Sequence, residues 1–192
     1  MRRLVLEAWR PLTAYAASPD PRVAAANWVS VLVAMNQPFY PLYVWGVVGY
    51  DGGASLVTLL STPFFAAIPA VARRHSRLGR AMLPLIGAAN TMLTAKAVGS
   101  ATGVELFLFP CAMAAAMGFR ARERTAMITT LVALLAAYVV LHDRMGAPLH
   151  VFSADAYARF LTMNIYSVAG LTFLIALQFA AAPDARSDLS TS

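Results

Sequence analysis

The chain has 192 residues, of which 59% are hydrophobic and 12% are charged, and its mean hydropathy is +0.63. A soluble domain averages roughly 45–50% apolar and about 25% charged residues, so this composition excludes an ordinary water-soluble domain and indicates an integral membrane protein. The net charge of +6 comes from arginines in short gaps between apolar runs, a pattern that favours membrane orientation signals over nucleic-acid binding.

Residues 1–22 mix apolar side chains with arginines and predict a short amphipathic helix that lies on the cytoplasmic surface of the membrane. Residues 23–182 are expected to form a membrane domain of six transmembrane helices, and residues 183–192 a polar cytoplasmic tail. The first span, at about 24–49, contains no charged residue and is long enough to cross about 30 Å of hydrocarbon with some tilt.

Five further apolar runs complete the membrane domain. They are expected to span the bilayer at about 54–72, 81–99, 104–119, 125–141 and 159–182. An arginine-rich loop follows the second run at 73–80, and another follows the fourth at 120–124. Together with the N-terminal segment and the tail, these loops hold 12 of the 15 Lys and Arg residues. The positive-inside rule therefore places both ends in the cytoplasm, and the predicted fold class is an all-α integral membrane bundle of six helices.

Residue usage also bears on localisation. Arg and Ala are abundant and Lys96 is the only lysine, as is typical of proteins from GC-rich bacterial genomes. We therefore expect a multi-pass protein of the bacterial plasma membrane, with the lipid bilayer as its first partner.

Motifs for catalysis and cofactor binding are missing from the sequence. It has no P-loop, HExxH, GxSxG or CxxC pattern, and its single cysteine, Cys111, excludes an internal disulfide. We expect neither catalysis nor a cofactor nor a bound metal. A membrane-embedded enzyme would have to use Glu105, His142 and Asp143, which are the only acid–base candidates grouped on one side.

The first span carries polar residues and prolines near its centre. Asn36 and Gln37 precede Pro38, and each of Pro38 and Pro41 removes a helical hydrogen bond, which would free the carbonyls of Ala34 and Gln37. Helical spacing places four polar side chains on one face: Asn36, Tyr40, Tyr43 and Tyr50. A kinked segment of this kind could line a cavity. The alternative is an ordinary proline kink, with tyrosines at the membrane interface.

Lys96 and Glu105 lie at the outer ends of the third and fourth spans. Because only a short turn separates these spans, we expect the two opposite charges to pair, which lowers the cost of burying each. Glu105 shares a helical face with Ala112 and Ala116, and small residues mark close helix contacts, so Glu105 is expected to face the bundle. The pair is either a ligand anchor or a structural ion pair. Such small-residue faces also allow a homodimer.

His142 ends the fifth span, and His150 lies in the outer loop that follows. Together with Asp143 and Asp155 they could hold a metal, but the spacing matches no specific metal site, and solvated loop residues are the favoured interpretation. Asn164 in the sixth span is expected to bond between helices or to line a solute path. The ligand-binding set predicted from the sequence is Asn36, Tyr43, Lys96, Glu105, His142 and Asn164.

Four features occur in an order that matches a known family. The first span runs from an Asn through aromatic residues to Gly-Tyr (36–50), basic loops occupy 73–80 and 120–124, and Gly103–Pro110 reads Gly, acidic residue, aromatics, Pro. This layout resembles, over about 24–182, the six-helix membrane domain at the N-terminus of bacterial class III adenylate cyclases and GGDEF diguanylate cyclases. The resemblance implies a sensor, usually dimeric, that signals to a cytoplasmic catalytic domain. Since no such domain follows, we expect a stand-alone relative or the membrane part of a longer protein.

Two functions follow from this reading. The first is a non-catalytic sensor that binds a small or lipophilic ligand near the outer halves of the helices and signals to a cytoplasmic enzyme, without nucleic-acid binding. The second is a small transporter or channel subunit, with a path through Asn36, Asn90 and Asn164.

Overall fold

The structure is a computed structural model, and it describes residues 2–142 and 144–181, with the side chains of 2–8, 50 and 51 outside the description. Within these ranges the chain is helical and contains no strand. The α-helices are α1 (Arg2–Ala16), α2 (Pro21–Asn36), α3 (Phe39–Val48), α4 (Thr62–Arg74), α5 (Ser76–Val98), α6 (Leu108–Gly118), α7 (Arg124–Leu141) and α8 (Ala154–Ala180). Segments of 3-10 helix occupy Tyr50–Ser61, Ser100–Thr102, Val104–Phe107 and Ala121–Glu123.

Several helical segments are long and apolar enough to cross a bilayer. Among the described residues there are four of them: Gly52–Arg74, Ser76–Val98, Ala121–Leu141 and Ala154–Ala180. They coincide with the predicted second, third, fifth and sixth spans, and they indicate a multi-pass membrane protein. The predicted fourth span corresponds to the shorter apolar helix Val104–Gly118, and the predicted first span is divided between α2 and α3.

The predicted N-terminal helix is present as α1, and it is attached to the bundle. The Tyr15 hydroxyl donates to the Ala66 carbonyl of α4 at 2.7 Å. After α1, Asp20 forms the N-cap of α2 because its carboxylate accepts the backbone N–H of Arg22 at 3.0 Å, and Pro21 opens the helix. Capping therefore sets where α2, the first half of the first predicted span, begins.

The first predicted span is broken at its centre. α2 ends at Asn36, α3 begins at Phe39, and the Gln37 carbonyl accepts the Tyr40 N–H at 3.3 Å. The prediction that Pro41 leaves the Gln37 carbonyl free is therefore wrong. A 3-10-type bond, from the N–H group three residues later, replaces the α-helical bond that the proline removes.

The polar face predicted for this span continues across the break, because Asn36, Tyr40 and Tyr43 all line one cavity, which is described in the next section. Tyr40 is only 8% exposed, whereas Tyr43 is 49% exposed and Asn36 is also exposed. The predicted face is therefore kept, although two helices, α2 and α3, form it and its described members differ in exposure. The Tyr50 side chain lies outside the described residues.

The second predicted span begins as an unusually long 3-10 helix, Tyr50–Ser61. Buried hydroxyls at every third position donate to the carbonyl three residues earlier: Ser55 to Gly52 at 2.5 Å, Thr58 to Ser55 at 2.9 Å, and Ser61 to Thr58 at 2.8 Å. A 3-10 helix repeats every three residues, so these hydroxyls lie in one row. We infer that this hydroxyl ladder holds the segment in its tight form, because such side-chain bonds compete with regular α-helical geometry.

The interior contains two main apolar clusters, one towards each end of the bundle. One cluster joins α2, α4, α5, α6 and α8 through Ala25, Ala26, Val29, Phe65, Ile68, Leu83, Ala114, Ile175 and Phe179. The other joins α3, the end of α5, the start of α8 and the loop between α7 and α8, which we call the outer loop after its predicted side, through Tyr40, Val44, Ala97, Val98, Phe152, Ala156 and Phe160. α7 packs at the periphery, where Thr130 and Leu134 are its buried residues. The space between the two clusters contains the cavity described next.

Candidate functional site

A cavity of about 750 Å3 occupies the middle of the bundle, walled mainly by α2, α3, α5, α6 and α8, with smaller contributions from α4 and two 3-10 segments. Its lining includes Val29, Phe65 and Leu83 from the first apolar cluster and Tyr40 from the second. Most of the remaining wall is apolar as well. The cavity therefore lies where the two clusters fail to meet, at the level of the break between α2 and α3.

The opening of this cavity lies beside the helix break. Met35, Phe39 and Tyr43 line the cavity and are 40%, 51% and 49% exposed, and Asn36 among them is exposed too. Opposite them on α8, Gly170 lines the cavity, and a Cβ atom added there would meet no atom within 4 Å. We call this opening the mouth. It is framed by side chains at mid-helix, away from the connecting loops.

Most of the polar side chains in the wall are already bonded within the protein. Gln37 donates to Ser61 Oγ at 2.5 Å, and the Tyr40 hydroxyl donates to Asn164 Oδ1 at 3.1 Å. The hydroxyls of Thr94 and Ser167 donate to carbonyls of their own helices, at 2.7 and 2.9 Å. These groups stabilise the bundle around the cavity and have their donors occupied.

Asn90 on α5 differs from these neighbours. Its side chain lines the cavity, and its Oδ1 atom is buried with no hydrogen-bond partner in the part of the chain that the structure describes. A buried polar atom without a partner is costly, and native interiors rarely retain one without a reason. The sequence interpretation placed Asn90 in a bond between helices or on a transport path, and it left Asn90 out of the predicted ligand-binding set.

Asn164 is buried in the interior, where its side chain bonds to neighbouring segments. It is 0% exposed, it receives the Tyr40 hydroxyl on Oδ1, and its Nδ2 donates to the Thr102 carbonyl at 2.9 Å. These bonds tie α8 to α3 and to the turn after α5. The predicted role in bonding between helices is confirmed, whereas the predicted place in a ligand site finds no support because Asn164 does not line the cavity.

The predicted ion pair between Lys96 and Glu105 is wrong. Lys96 Nζ instead donates to the carbonyls of Met145 and Ala147, at 2.8 and 2.7 Å. Two backbone bonds, from the N–H groups of Leu149 and His150 to the carbonyls of residues 96 and 97, run beside this contact. The outer loop therefore folds over the end of α5, and its carbonyl groups bind the Lys96 ammonium group. The Glu105 carboxylate, which is closer in sequence, does not.

Glu105 contacts another part of the outer end. Its Oε1 accepts the Ser100 hydroxyl at 2.6 Å, and its Oε2 lies 2.8 Å from His142 Nδ1. The Glu105 side chain is 11% exposed, in agreement with the prediction that it faces the bundle. His142 also stacks on Tyr138, with ring centroids 4.7 Å apart. These contacts fasten the end of α7 to the turn before α6.

The residues predicted as one ligand site therefore separate into groups. Asn36 and Tyr43 are at the mouth of the cavity, while Lys96, Glu105 and His142 fasten the outer loops and do not line it. Across the described ranges, no three His, Cys, Asp or Glu side chains come together as a metal site. Asp143, one of the residues considered for metal binding or acid–base chemistry, lies outside the described residues.

A buried charge cluster at the opposite end was missed by sequence reasoning. Arg80 is 2% exposed, and it donates to both oxygens of Glu123 and to the Gly118 carbonyl at 2.7 Å. Arg22 donates to the carbonyls of Met117 and Phe119. Two guanidinium groups therefore bind the carbonyl end of α6, where positive charge is favoured. The available signal was the lone acidic residue, Glu123, inside an arginine-rich loop.

No family model, curated protein or solved structure matches the chain. The resemblance to the membrane domain of signalling cyclases rests on the order of its sequence features alone. The site itself is a mostly apolar chamber that opens near the middle of the bundle.

Proposed function

We propose that this chain is a six-span membrane protein with both ends in the cytoplasm, and that it acts as a non-catalytic sensor for a small lipophilic molecule. The ligand binds in the central cavity and changes the packing of the helices around the mouth. A cytoplasmic signalling partner responds to that change.

Six spans follow if the two shorter elements also cross the membrane. Only two residues separate α2 from α3, so together they can replace one long helix, and Val104–Gly118 joins the outer turn to the second arginine loop. Lysine and arginine then concentrate on one side, which supports a cytoplasmic location for both ends. A reporter fusion after residue 182 and another at Pro148 test this. Activity of a periplasm-specific reporter at residue 182 would contradict the orientation.

The cavity is the single observation that carries the sensor proposal. Its volume of about 750 Å3 lies within the range of about 300–1,000 Å3 typical of small-molecule sites. It is largely apolar, and its mouth is lined by exposed apolar and aromatic side chains such as Phe39 and Tyr43. A molecule dissolved in the bilayer could bury its apolar part there without crossing a polar surface.

The elements around the mouth are suited to transmit occupancy. On one side is the break between α2 and α3, held by the Gln37–Ser61 bond to the 3-10 segment of the second span. On the other side is α8, which leads directly to the C-terminal tail. A ligand that binds one arrangement of these elements more tightly shifts the population towards it, by an amount set by the difference in affinity. The family resemblance points to the same output through α8.

Photolabelling tests whether the cavity binds. The protein in nanodiscs is exposed to an alkane that carries a diazirine, and labelled peptides are identified by mass spectrometry. We expect label on α2, α3 and α8 around the mouth. Gly170→Trp should remove it by filling the mouth, since open space surrounds Gly170. The matched control is Gly46→Trp, at an exposed α3 glycine that also has open space and does not line the cavity. Equal labelling of both variants would contradict the proposal.

Transmission needs a separate measurement. The chain is joined through its tail to a cyclase catalytic domain, and cyclase activity is followed while the same alkane is added. A sensor changes that activity in the native chain and in Gly46→Trp, but not in Gly170→Trp. If the cavity binds and the activity never changes, the site is a binding site without the proposed output.

A small transporter is the second candidate, and the broken helix favours it. Discontinuous helices line the substrate sites of many transporters, and here the α2–α3 break borders a cavity that contains Asn36 and Asn90. The third member of the predicted path, Asn164, is fully buried in bonds to Tyr40 and Thr102. Solute flux into proteoliposomes that Gly170→Trp abolishes would favour transport over sensing.

A further inference from the structure

The amide of Asn90 is the polar group in the cavity that calls for a ligand. Its Oδ1 is buried without a partner in the described part of the chain. Three other side chains of the wall already donate within the protein, since Tyr40 bonds to Asn164, Gln37 to Ser61, and Thr94 to the carbonyl of Asn90 itself. Rotation of the amide about its terminal torsion would turn this oxygen towards the cavity, where a hydrogen-bond donor of a bound molecule would satisfy it.

The charge of the wall limits the kind of molecule. Among the described residues that line the cavity, none is Asp, Glu, Lys, Arg or His. The charged groups at the outer end are held elsewhere, Lys96 by backbone carbonyls and Glu105 by Ser100 and His142. An ionised ligand would lose its hydration and gain no counter-charge, which is strongly unfavourable. The site therefore favours a neutral molecule.

The amide also limits the polar group of that molecule. Asn presents an acceptor oxygen and an NH2 donor, and its terminal torsion has broad, roughly two-fold preferences, so either can face the cavity. A hydroxyl group both donates and accepts, and it can pair with the amide in either orientation. An ether or a ketone can only accept, so it would leave the Oδ1 atom without a donor.

The depth of Asn90 limits size and shape. It lies eight residues before the end of α5 at Val98, which is about 12 Å along a helix. A phospholipid whose headgroup stays at the interface would not bring a polar group to that depth. A slender amphiphile that partitions into the bilayer can do so through the mid-helix mouth.

We propose that the ligand of the cavity is a neutral, single-chain or small-ring amphiphile with a hydroxyl group, and that the Asn90 amide recognises this hydroxyl. The inference rests on the proposed function, since it names the chemical class of ligand for the same cavity. It predicts discrimination between molecules of equal chain length that differ only in the terminal group.

Competition against the diazirine alkane measures this discrimination. The intact protein in nanodiscs is labelled in the presence of dodecanol, its methyl ether, or dodecanoate, which share one alkyl chain. We expect dodecanol to displace the label at concentrations about five- to tenfold lower than the ether, the effect of one hydrogen bond, and dodecanoate to be the weakest. Bilayer partitioning of each competitor is measured separately and the concentrations are corrected for it.

Variants assign the discrimination to the amide. In Asn90→Leu, dodecanol should displace the label only as well as the ether does, and the ether should still bind. Gln178→Leu, which removes an amide on α8 away from the cavity, should keep the native preference. Asn90→Gln keeps the amide and should retain a preference for the alcohol. If Asn90→Leu does not fold, the competitor series on the native chain and on Asn90→Gln still decides whether the cavity prefers a neutral hydroxyl ligand.

The outcomes separate the two proposals. Absence of cavity labelling on the native chain overturns the proposed function. Labelling that dodecanol and its ether displace equally, or that dodecanoate displaces best, overturns only the assignment of a neutral hydroxyl ligand. An alcohol preference that survives Asn90→Leu in a folded protein overturns the role of Asn90.

Discussion

Arg80 donates hydrogen bonds to both carboxylate oxygens of Glu123, at 2.7 and 2.9 Å, although the two side chains are only 2% and 4% exposed. The contact joins the start of α5 to the turn between α6 and α7. The Glu123 carboxylate also accepts the backbone N–H of Arg120 at 3.0 Å and a bond from Arg77. A planar guanidinium and a carboxylate match in this bidentate geometry, which makes the pair strong and directional.

Glu123→Gln is expected to destabilise the protein by about 3–5 kcal/mol, because it leaves the buried Arg80 charge without a counter-charge. The free energy of unfolding in mild detergent measures the effect. Asp155→Asn is the matched control, since it removes the carboxylate of the exposed Asp155–Arg159 pair. An exposed pair of this kind contributes about 0–1 kcal/mol. Equal losses of unfolding free energy in the two variants would show that the buried pair contributes no more to stability than the exposed pair.

The hydroxyl ladder predicts an order of effects within the second span. Thr58→Val removes one buried bond, to the Ser55 carbonyl, and should cost about 0.5–1.5 kcal/mol. Ser61→Ala should cost more, about 1–3 kcal/mol, because it also leaves the Gln37 amide without its acceptor. Thr162→Val, where an exposed hydroxyl bonds within α8, serves as the control. The reverse order for Thr58 and Ser61 would contradict the Gln37–Ser61 contact.

Two adjacent glycines should respond in opposite ways to alanine. A Cβ atom on Gly52 would lie 2.6 Å from Val44 Cγ1 and 2.8 Å from Trp45 Cδ1, whereas Gly53 has no atom within 4 Å. Val44 is fully buried and has little room to move. Gly52→Ala should therefore lose about 1–3 kcal/mol through overpacking. Gly53→Ala should be neutral or gain up to about 1 kcal/mol, because the unfolded chain loses freedom.

Thermal unfolding of the two glycine variants in the same detergent decides this comparison. Similar melting temperatures for Gly52→Ala and Gly53→Ala would mean that α3 leaves more room at Gly52 than the 2.6 Å from an added Cβ atom to Val44 Cγ1 indicates.

Lys96 is expected to hold the outer loop and to have no part in ligand binding. Lys96→Met removes the donor shared by the Met145 and Ala147 carbonyls, and it should increase cleavage of residues 144–153 by an added protease several-fold. Labelling of the cavity should be unchanged because Lys96 does not line it. Loss of cavity labelling without increased cleavage of the loop would indicate that Lys96 does belong to the ligand site.

The sequence alone determined the local properties of this chain. Apolar runs and arginine-rich loops depend on residues that are neighbours in sequence, so the helical segments lie close to the predicted bounds, from α1 to α8. Pro38 marked the break between α2 and α3 because proline removes a backbone donor wherever it stands. The repeat of hydroxyls at Ser55, Thr58 and Ser61 is likewise a local pattern with a period of three, although it was not among the predictions.

Only the tertiary structure decided which polar groups meet. Tyr40 and Asn164 are 124 residues apart in sequence, and Arg80 and Glu123 are 43 apart, so no local pattern links either pair. Lys96 was assigned to Glu105 because the two are close along the chain, yet the folded outer loop places two carbonyls nearer to its ammonium group. The cavity at Asn90 exists because helices with different facing side chains leave unfilled space between two packed clusters, and that space depends on the arrangement of all the helices together.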